Sequence, residues 1–225
     1  MPKNWVSFPD PADWKEAKFH EILNVTKGIA VHSLRVVNYL AQRTNTTNNL
    51  RKYKIIRACS NLKPRRINMF THRKIDILFF EKYADLNRSN EGEKLLSLLK
   101  GTNYSIVSIK YGSYNKKNIK KLANDSKYII YFSFYDTGAI GLKEIQNFGV
   151  FTFCHQKDLV INNETCFYIP ELAYKNEMRS AFTKIIKIIK TISTNNPNSK
   201  LIARKNQMIN NCQNSLKDLC ENLVK

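Results

Sequence analysis

The chain has 225 residues, of which 43% are hydrophobic, and it carries a formal net charge of +19. That length fits one large globular domain or one and a half smaller ones, and its apolar runs are too short to cross a bilayer. The N-terminal segment is charged and rich in proline, which argues against a secretory signal and predicts a cytoplasmic protein. Five cysteines, none in a C-x-x-C pair, argue against a disulfide framework and a zinc site.

The positive charge invites a nucleic-acid interpretation. However, the lysines are scattered through the chain instead of forming one block. The chain is also rich in Asn, Lys and Ile together, a mix that A/T-rich codons produce without selection for binding. Composition therefore explains most of the charge, and contact with nucleic acid or an anionic membrane surface stays an alternative.

The first 70 residues predict a partial α/β segment and a connector. An apolar face and Asp13 as a cap favour a first helix, and Ser33 caps a second. Residues 60–74 have no periodicity, one proline and many basic residues, which predicts a connector between two units. The predicted elements before it are helices over 13–27 and 33–43 and strands over 28–33 and 53–59.

Strands and helices alternate from residue 74 onward. The predicted strands, which are mostly continuous apolar runs, cover 74–80, 104–112, 127–133, 149–154 and 166–170. The predicted helices cover 90–101, 115–126, 137–147, 175–192 and, after Pro197, 198–224. Apolar strands alternating with helices predict a Rossmann-like α/β domain, a parallel sheet with helices on both faces. The predicted domains are therefore 1–70, 71–195 and a C-terminal helix, 196–225, that packs back on the N-terminal part.

Ligands of open parallel sheets bind beyond the carboxyl ends of the strands. The most informative of these ends is the segment SFYDTG, residues 133–138. Thr137 and Gly138 open a predicted helix whose first N–H groups are free to bind an anion or sugar oxygens. Gly138 and Gly141 lack side chains, so a ligand can approach the backbone closely.

The segment SFYDTGAIGLKEIQNFGVFTF, residues 133–153, resembles the donor-site motif of the retaining GT-B glycosyltransferases, the glycogen-synthase-like and group 1 families. In that motif a serine follows a strand, an acid opens a glycine-containing turn, a glutamate sits eight positions on, and a glycine precedes the next strand. The matching residues are Ser133, Asp136, Gly138, Glu144 and Gly149. Here the first acid is Asp instead of Glu, and the turn reads TGAIG.

The resemblance extends upstream and covers about residues 74–195. Glu81–Lys82 sits where the family has a diphosphate-binding lysine, and Arg88 is the candidate for the missing companion arginine. The segment from Tyr111 and Gly112 to Ser133 looks like the family's nucleobase-side loop, helix and strand. The segment GIAVHSLRVVNYLA, residues 28–41, resembles the end of an acceptor-binding domain.

The resemblance implies a metal-independent, retaining hexosyltransferase with a UDP- or GDP-sugar as substrate, no cofactor, and a sugar or protein acceptor. It implies catalytic roles for Asp136 and Lys82. It implies that the donor is bound by Ser133, Thr137, Gly138, Glu144, Arg88, Tyr111 and Gly112. About 70 residues are too few for a complete acceptor domain, so we expect a fragment of a longer enzyme or a reduced protein. The alternatives are a basic module that binds nucleic acid and an interaction protein with a decayed donor site.

Overall fold

The computed structural model describes residues 5–7, 28–31, 53–55, 68–82, 89–110, 112–133, 140–155, 165–194 and 197. The chain divides into two compact units. The first comprises Met1–Cys59 with Ile209–Lys225, and the second comprises Ser60–Met208. Among the described residues, no helix is long and apolar enough to cross a membrane.

The first unit contains a three-stranded parallel sheet with the order β1–β2–β3. Its strands are Trp5–Ser7, Gly28–Val31 and Tyr53–Ile55. The predictions of β2 and β3 are confirmed, whereas β1 was not predicted, because three residues among prolines carry no periodic signal. The helices predicted over 13–27, 33–43 and 198–224 lie outside the described residues.

The second unit contains a five-stranded sheet in which every neighbouring pair is parallel, with the order β5–β4–β6–β7–β8. The strands are β4 Ile75–Lys82, β5 Ile106–Lys110, β6 Ser126–Ser133, β7 Phe151–Cys154 and β8 Cys166–Tyr168. The helices are α1 Ser89–Lys100, α2 Lys116–Asp125, α3 Ile140–Gln146 and α4 Met178–Ser193. This arrangement confirms the predicted Rossmann-like α/β fold, and its strand order is one of the two common orders of doubly wound sheets.

Helices cover both faces of this sheet. Leu95 and Leu99 of α1 and five apolar residues of α4 pack with one set of alternate strand side chains, among them Phe79 and Phe132. We call this the α1/α4 face. Apolar residues of α2 and α3 pack with the other set, which includes Phe80 and Tyr131, on the α2/α3 face. Because the central strands are buried on both faces, their sequences read as continuous apolar runs.

The amino edge of the sheet is fixed by a buried arginine. Arg73 is 3% exposed, and it donates to the carbonyl oxygens of Ser126 at 2.6 Å and Phe148 at 2.8 Å. It also donates to the Asn68 carbonyl from Nε and Nη2. Ser126 and Phe148 lie at the C-terminal ends of α2 and α3, where carbonyls lack helical partners and a cation is favoured. Arg73 therefore ties two helix ends to the start of β4.

Lack of periodicity predicted a connector over residues 60–74, and its described end, residues 68–74, packs on the amino edge of the sheet. Phe70 lies in a 3₁₀ turn, is buried, and contacts the rings of Tyr128 and Phe151 edge-on at 5.5 and 5.9 Å between centroids. A single turn with one aromatic residue and one arginine produces no periodic pattern, so the sequence does not indicate that Phe70 and Arg73 are buried.

Two cysteine thiols meet between the last strands. Cys154 of β7 and Cys166 of β8 are both fully buried on the α2/α3 face, with 4.0 Å between their sulfur atoms. The Gln146 side chain donates to Cys166 Sγ at 3.6 Å and to Thr152 Oγ1 at 3.3 Å. Neither of the described cysteines forms a disulfide, and both pack in the apolar core.

Candidate functional site

The carboxyl edge of the five-stranded sheet contains a topological switch point. The chain leaves β4 to form β5 on one side of it, and β6 then pairs with the other side of β4. The connections that follow β4 and β6 therefore diverge, which opens a crevice beyond the ends of these two strands. In this sheet order, that crevice is the position where a ligand is expected.

Lys82 and Ser133 are partners in the register at this switch point. They are the last residues of β4 and β6, and each was predicted as a donor-site residue from the sequence. Paired residues of neighbouring parallel strands point to the same face, so both side chains project to the α2/α3 face. Lys82 is partly buried, whereas Ser133 is 1% exposed, and no described residue hydrogen-bonds its hydroxyl group.

Helix α3 covers the same face next to the switch point. Its Glu144, a predicted ribose ligand, is partly buried. A Cβ atom at Gly141 would lie 3.5 Å from the Tyr114 hydroxyl and 3.6 Å from the Phe80 ring. The bare side of Gly141 therefore faces the interior, at ordinary contact distance from its neighbours, so the expected close approach of a ligand does not come from that side.

The turn after β5 supplies a second wall of the crevice. Gly112, a predicted site residue, has a φ of +83°, and a Cβ atom there would meet nothing within 4 Å. The Ser113 hydroxyl bonds the backbone N–H and carbonyl of Lys110, and Asn115 caps α2 by accepting from the Asn118 N–H at 2.9 Å. Side-chain bonds thus fix the turn, and Gly112 leaves its outer side open.

Five of the predicted site residues lie outside the described part of the chain: Arg88, Tyr111, Asp136, Thr137 and Gly138. The strands and helices that flank them are described. Arg88 directly precedes α1, and Tyr111 directly follows β5. Residues 134–139 connect β6 to α3. The structure brings Lys82 and Ser133 together, places Gly112 and Glu144 on flanking elements, and leaves the other five predictions open.

Sequence reasoning missed two buried carboxylates on the α1/α4 face of the same edge. Glu81 is 1% exposed; its Oε1 accepts from the Ser108 hydroxyl at 3.1 Å, and its Oε2 has no hydrogen-bond partner among the described residues. Glu91, in the first turn of α1, is 6% exposed, and its Oε2 also has no hydrogen-bond partner in the described part of the chain. The available signal was helical spacing, since Glu91 continues the buried stripe of Leu95 and Leu99.

Groups with perturbed pKa values lie at the amino edge, away from the candidate site. Burial lowers the pKa of Arg73 to about 10, against the opposing effect of Asp125. Partial burial acts to raise the pKa of Asp76, but the hydrogen bonds from Lys127 and Ser105 outweigh it and leave the pKa below its ordinary value. These groups lie before or at the start of β4, so their shifts report packing and ion pairing instead of a poised catalytic group.

Exposed basic residues are distributed over both sides of the domain. On α2 they are Lys117, Lys120 and Lys121, and on α4 they are Arg179, Lys187 and Lys190. These helices lie on opposite faces of the sheet. In the described residues, the exposed charge therefore does not form one basic face of the kind that tracks a nucleic-acid backbone.

The described residues contain no group of three or more His, Cys, Asp or Glu side chains placed to hold a metal ion. No protein-family model matches the chain, and no curated protein matches it.

Proposed function

We propose that the second unit binds a nucleotide-diphosphate sugar at the carboxyl edge of its sheet, as the donor domain of a glycosyltransferase. The observation that carries this proposal is the register pair of Lys82 and Ser133 at the switch point. Two residues separated by 51 positions in sequence, and singled out by different segments of one family resemblance, are direct neighbours at the edge where such sheets bind ligands.

Lys82 has the chemistry that a diphosphate requires. Its ammonium group neutralises charge on the bound diphosphate and on the leaving group as transfer proceeds, and preorganised charge of this kind stabilises a transition state. The neighbouring Ser133 hydroxyl has no hydrogen-bond partner in the described residues, so it is available to a phosphate or sugar oxygen. A buried hydroxyl that gains such a bond recovers the free energy that its desolvation costs.

The remaining roles follow from the resemblance. Asp136 and the N–H groups of Thr137 and Gly138 receive the sugar hydroxyls, and Glu144 accepts from the ribose. Arg88 assists Lys82 with the diphosphate, and Tyr111 and Gly112 border the nucleobase. The open side of Gly112 supports this last role, because a planar base can lie against a turn that carries no side chain. Transfer retains the configuration of the sugar and uses a sugar or protein acceptor.

Calorimetric titration of the full chain with UDP, GDP and their sugars tests the proposal. We expect saturable binding of one nucleotide, weakened at least about tenfold by Lys82→Ala, because a charge-assisted hydrogen bond contributes about 1.5–3 kcal/mol. Lys100→Ala is the matched control, since Lys100 is exposed in the last turn of α1, at the opposite edge of the sheet. We expect this control to leave the affinity unchanged.

Two results would refute this function. One is a folded chain that binds none of these ligands, and the other is binding that Lys82→Ala and Lys100→Ala affect equally. Titration with single-stranded RNA at several salt concentrations separates the alternative, because nucleic-acid binding falls steeply as salt rises. Such binding without nucleotide binding would identify the unit as a basic binding module.

A further inference from the structure

The two buried glutamates at the carboxyl edge have an incomplete set of partners. In the residues that the structure describes, the ion pairs join Lys127 to Asp76 and Lys184 to Glu171, so neither Glu81 nor Glu91 is neutralised by a base. Each has an Oε2 atom that is buried and without a hydrogen bond. Burying a carboxylate without a partner is costly, so two such oxygens at one edge require an explanation.

Strand and helix geometry places both carboxylates near the carboxyl edge of the α1/α4 face. Phe79 and Glu81 are alternate residues of β4, about 6.6 Å apart along the strand, and both point to the α1/α4 face. Leu95 and Glu91 are one turn apart on the buried stripe of α1, about 6 Å along the helix. Because β4 and β5 are parallel, the connecting helix α1 runs from the carboxyl edge back toward the amino edge. The side chains of β4 and of α1 on this face therefore each end in a glutamate at the carboxyl edge.

The hydrogen bond from Ser108 favours a ligand role for Glu81. The Ser108 hydroxyl donates to Oε1 at 3.1 Å, which fixes the carboxylate, while the buried Oε2 atom is left without a hydrogen bond in the described residues. Carboxylates that bind metals are commonly held by such a second hydrogen bond. Glu91 is also fixed, because it belongs to a 12-residue helix whose stripe packs on the sheet.

We propose that Glu81 and Glu91 hold one hard divalent cation, such as Mg²⁺ or Mn²⁺, on the α1/α4 face of the carboxyl edge. Oxygen ligands select these ions, and Mg²⁺ typically takes one or two protein carboxylates and completes its shell with water. Two carboxylates therefore suffice for this ion, and its charge neutralises both of them. The inference does not rest on nucleotide-sugar binding, since Lys82 and Ser133 project to the other face.

Mn²⁺ titration of the full chain, followed by loss of the free-ion EPR signal, tests this site in the absence of any nucleotide. We expect one Mn²⁺ per chain, displaced by excess Mg²⁺. Glu81→Gln and Glu91→Gln, which keep the side-chain shape, are each expected to weaken binding at least about tenfold. Glu93→Gln removes the same charge from an exposed position of α1 and should leave the affinity unchanged.

A thermal-melting series covers the case in which a glutamine variant fails to fold. Since a ligand that binds only the folded state stabilises it, Mg²⁺ should raise the melting temperature of the wild-type chain, and EDTA should reverse the rise. A wild-type chain that binds no Mn²⁺ would overturn the proposal, as would tight binding that survives in both glutamine variants. Nucleotide titrations of these variants report the other site separately.

Discussion

The hydrogen bonds of Arg73 make its replacement by methionine a sharp test of what fixes the amino edge of the sheet. Methionine keeps much of the length of the side chain and removes all of its donors. The carbonyl oxygens of Ser126 and Phe148 lose bonds of 2.6 and 2.8 Å, and both of these bonds are buried. The space stays filled, which hinders water from replacing the guanidinium.

The magnitude follows from the number of carbonyls left without a partner. Each buried, unsatisfied carbonyl costs about 1–3 kcal/mol, so two of them cost about 2–6 kcal/mol. Removing a buried charge returns part of this cost, because the desolvation of the guanidinium no longer opposes folding. We therefore expect Arg73→Met to lower the free energy of unfolding by about 3 kcal/mol.

Urea unfolding, followed by far-UV circular dichroism, measures this loss. For a slope of about 1–3 kcal/mol/M, the transition that reports the second unit should move down by about 1 M or more. Arg73→Lys should lose less, since an ammonium group still reaches one of the carbonyls. Lys74→Met changes an exposed neighbour and should stay within about 0.5 kcal/mol of wild type.

A loss of less than about 1 kcal/mol in the free energy of unfolding of Arg73→Met, with an unchanged dependence on urea concentration, would refute this role of Arg73. That result would mean that the helix-end carbonyls find other hydrogen-bond partners. Arg73 would then contribute little to holding α2, α3 and β4 together.

Three further predictions concern two glycines and one ion pair. Gly149 has a φ of +66° where the chain leaves α3, so Gly149→Ala should destabilise the unit by about 1–2 kcal/mol in urea unfolding. Gly141→Ala should stabilise it by about 0.5–1 kcal/mol in the same assay, because the new methyl group meets neighbours only at contact distance and alanine favours helix. The hydrogen bonds to Asp76 hold its pKa in the folded state below its value in the unfolded state. The contribution of Asp76 to folding stability is therefore present above about pH 4 and is lost as pH falls through the folded-state pKa. The stability difference between wild type and Asp76→Asn, about 0.5–1 kcal/mol at pH 7, should therefore shrink in acid, and a constant difference down to pH 2 would contradict this reading.

The sequence predicted the second unit well because its pattern is strong. Apolar runs predicted the described strands of this sheet, and apolar residues at helical spacing predicted the described helices that cover it. The errors lie at the element ends. The prediction ended β4 at Phe80, where the apolar run ends, but backbone pairing continues through Glu81 and Lys82. Pairing between parallel strands depends on main-chain groups, so a polar side chain at the last position does not interrupt it.

The site was harder to predict than the fold. Lys82 and Ser133 were predicted as site residues because the family resemblance and the strand ends coincide there, whereas their register could follow only from the strand order. Glu81 was noticed only as the neighbour of Lys82, since its burial depends on α1 packing above it. Glu91 looked like an ordinary acid in a helical first turn, where the helix dipole favours it. Arg73 carried no signal, because its partners are carbonyls that belong to every residue type.

The contacts of Arg73 also constrain the order in which the chain can fold. Its two buried partners, Ser126 and Phe148, lie 53 and 75 positions later in the sequence. During synthesis, β4 therefore leaves the ribosome before β6, one of the two strands that pair with it, and before the helix ends that accept hydrogen bonds from Arg73. Closing such loops costs entropy before any contact repays it, which slows folding. Until then the apolar β4 lacks β6 and the contacts with the helix ends, and aggregation competes with folding during this interval.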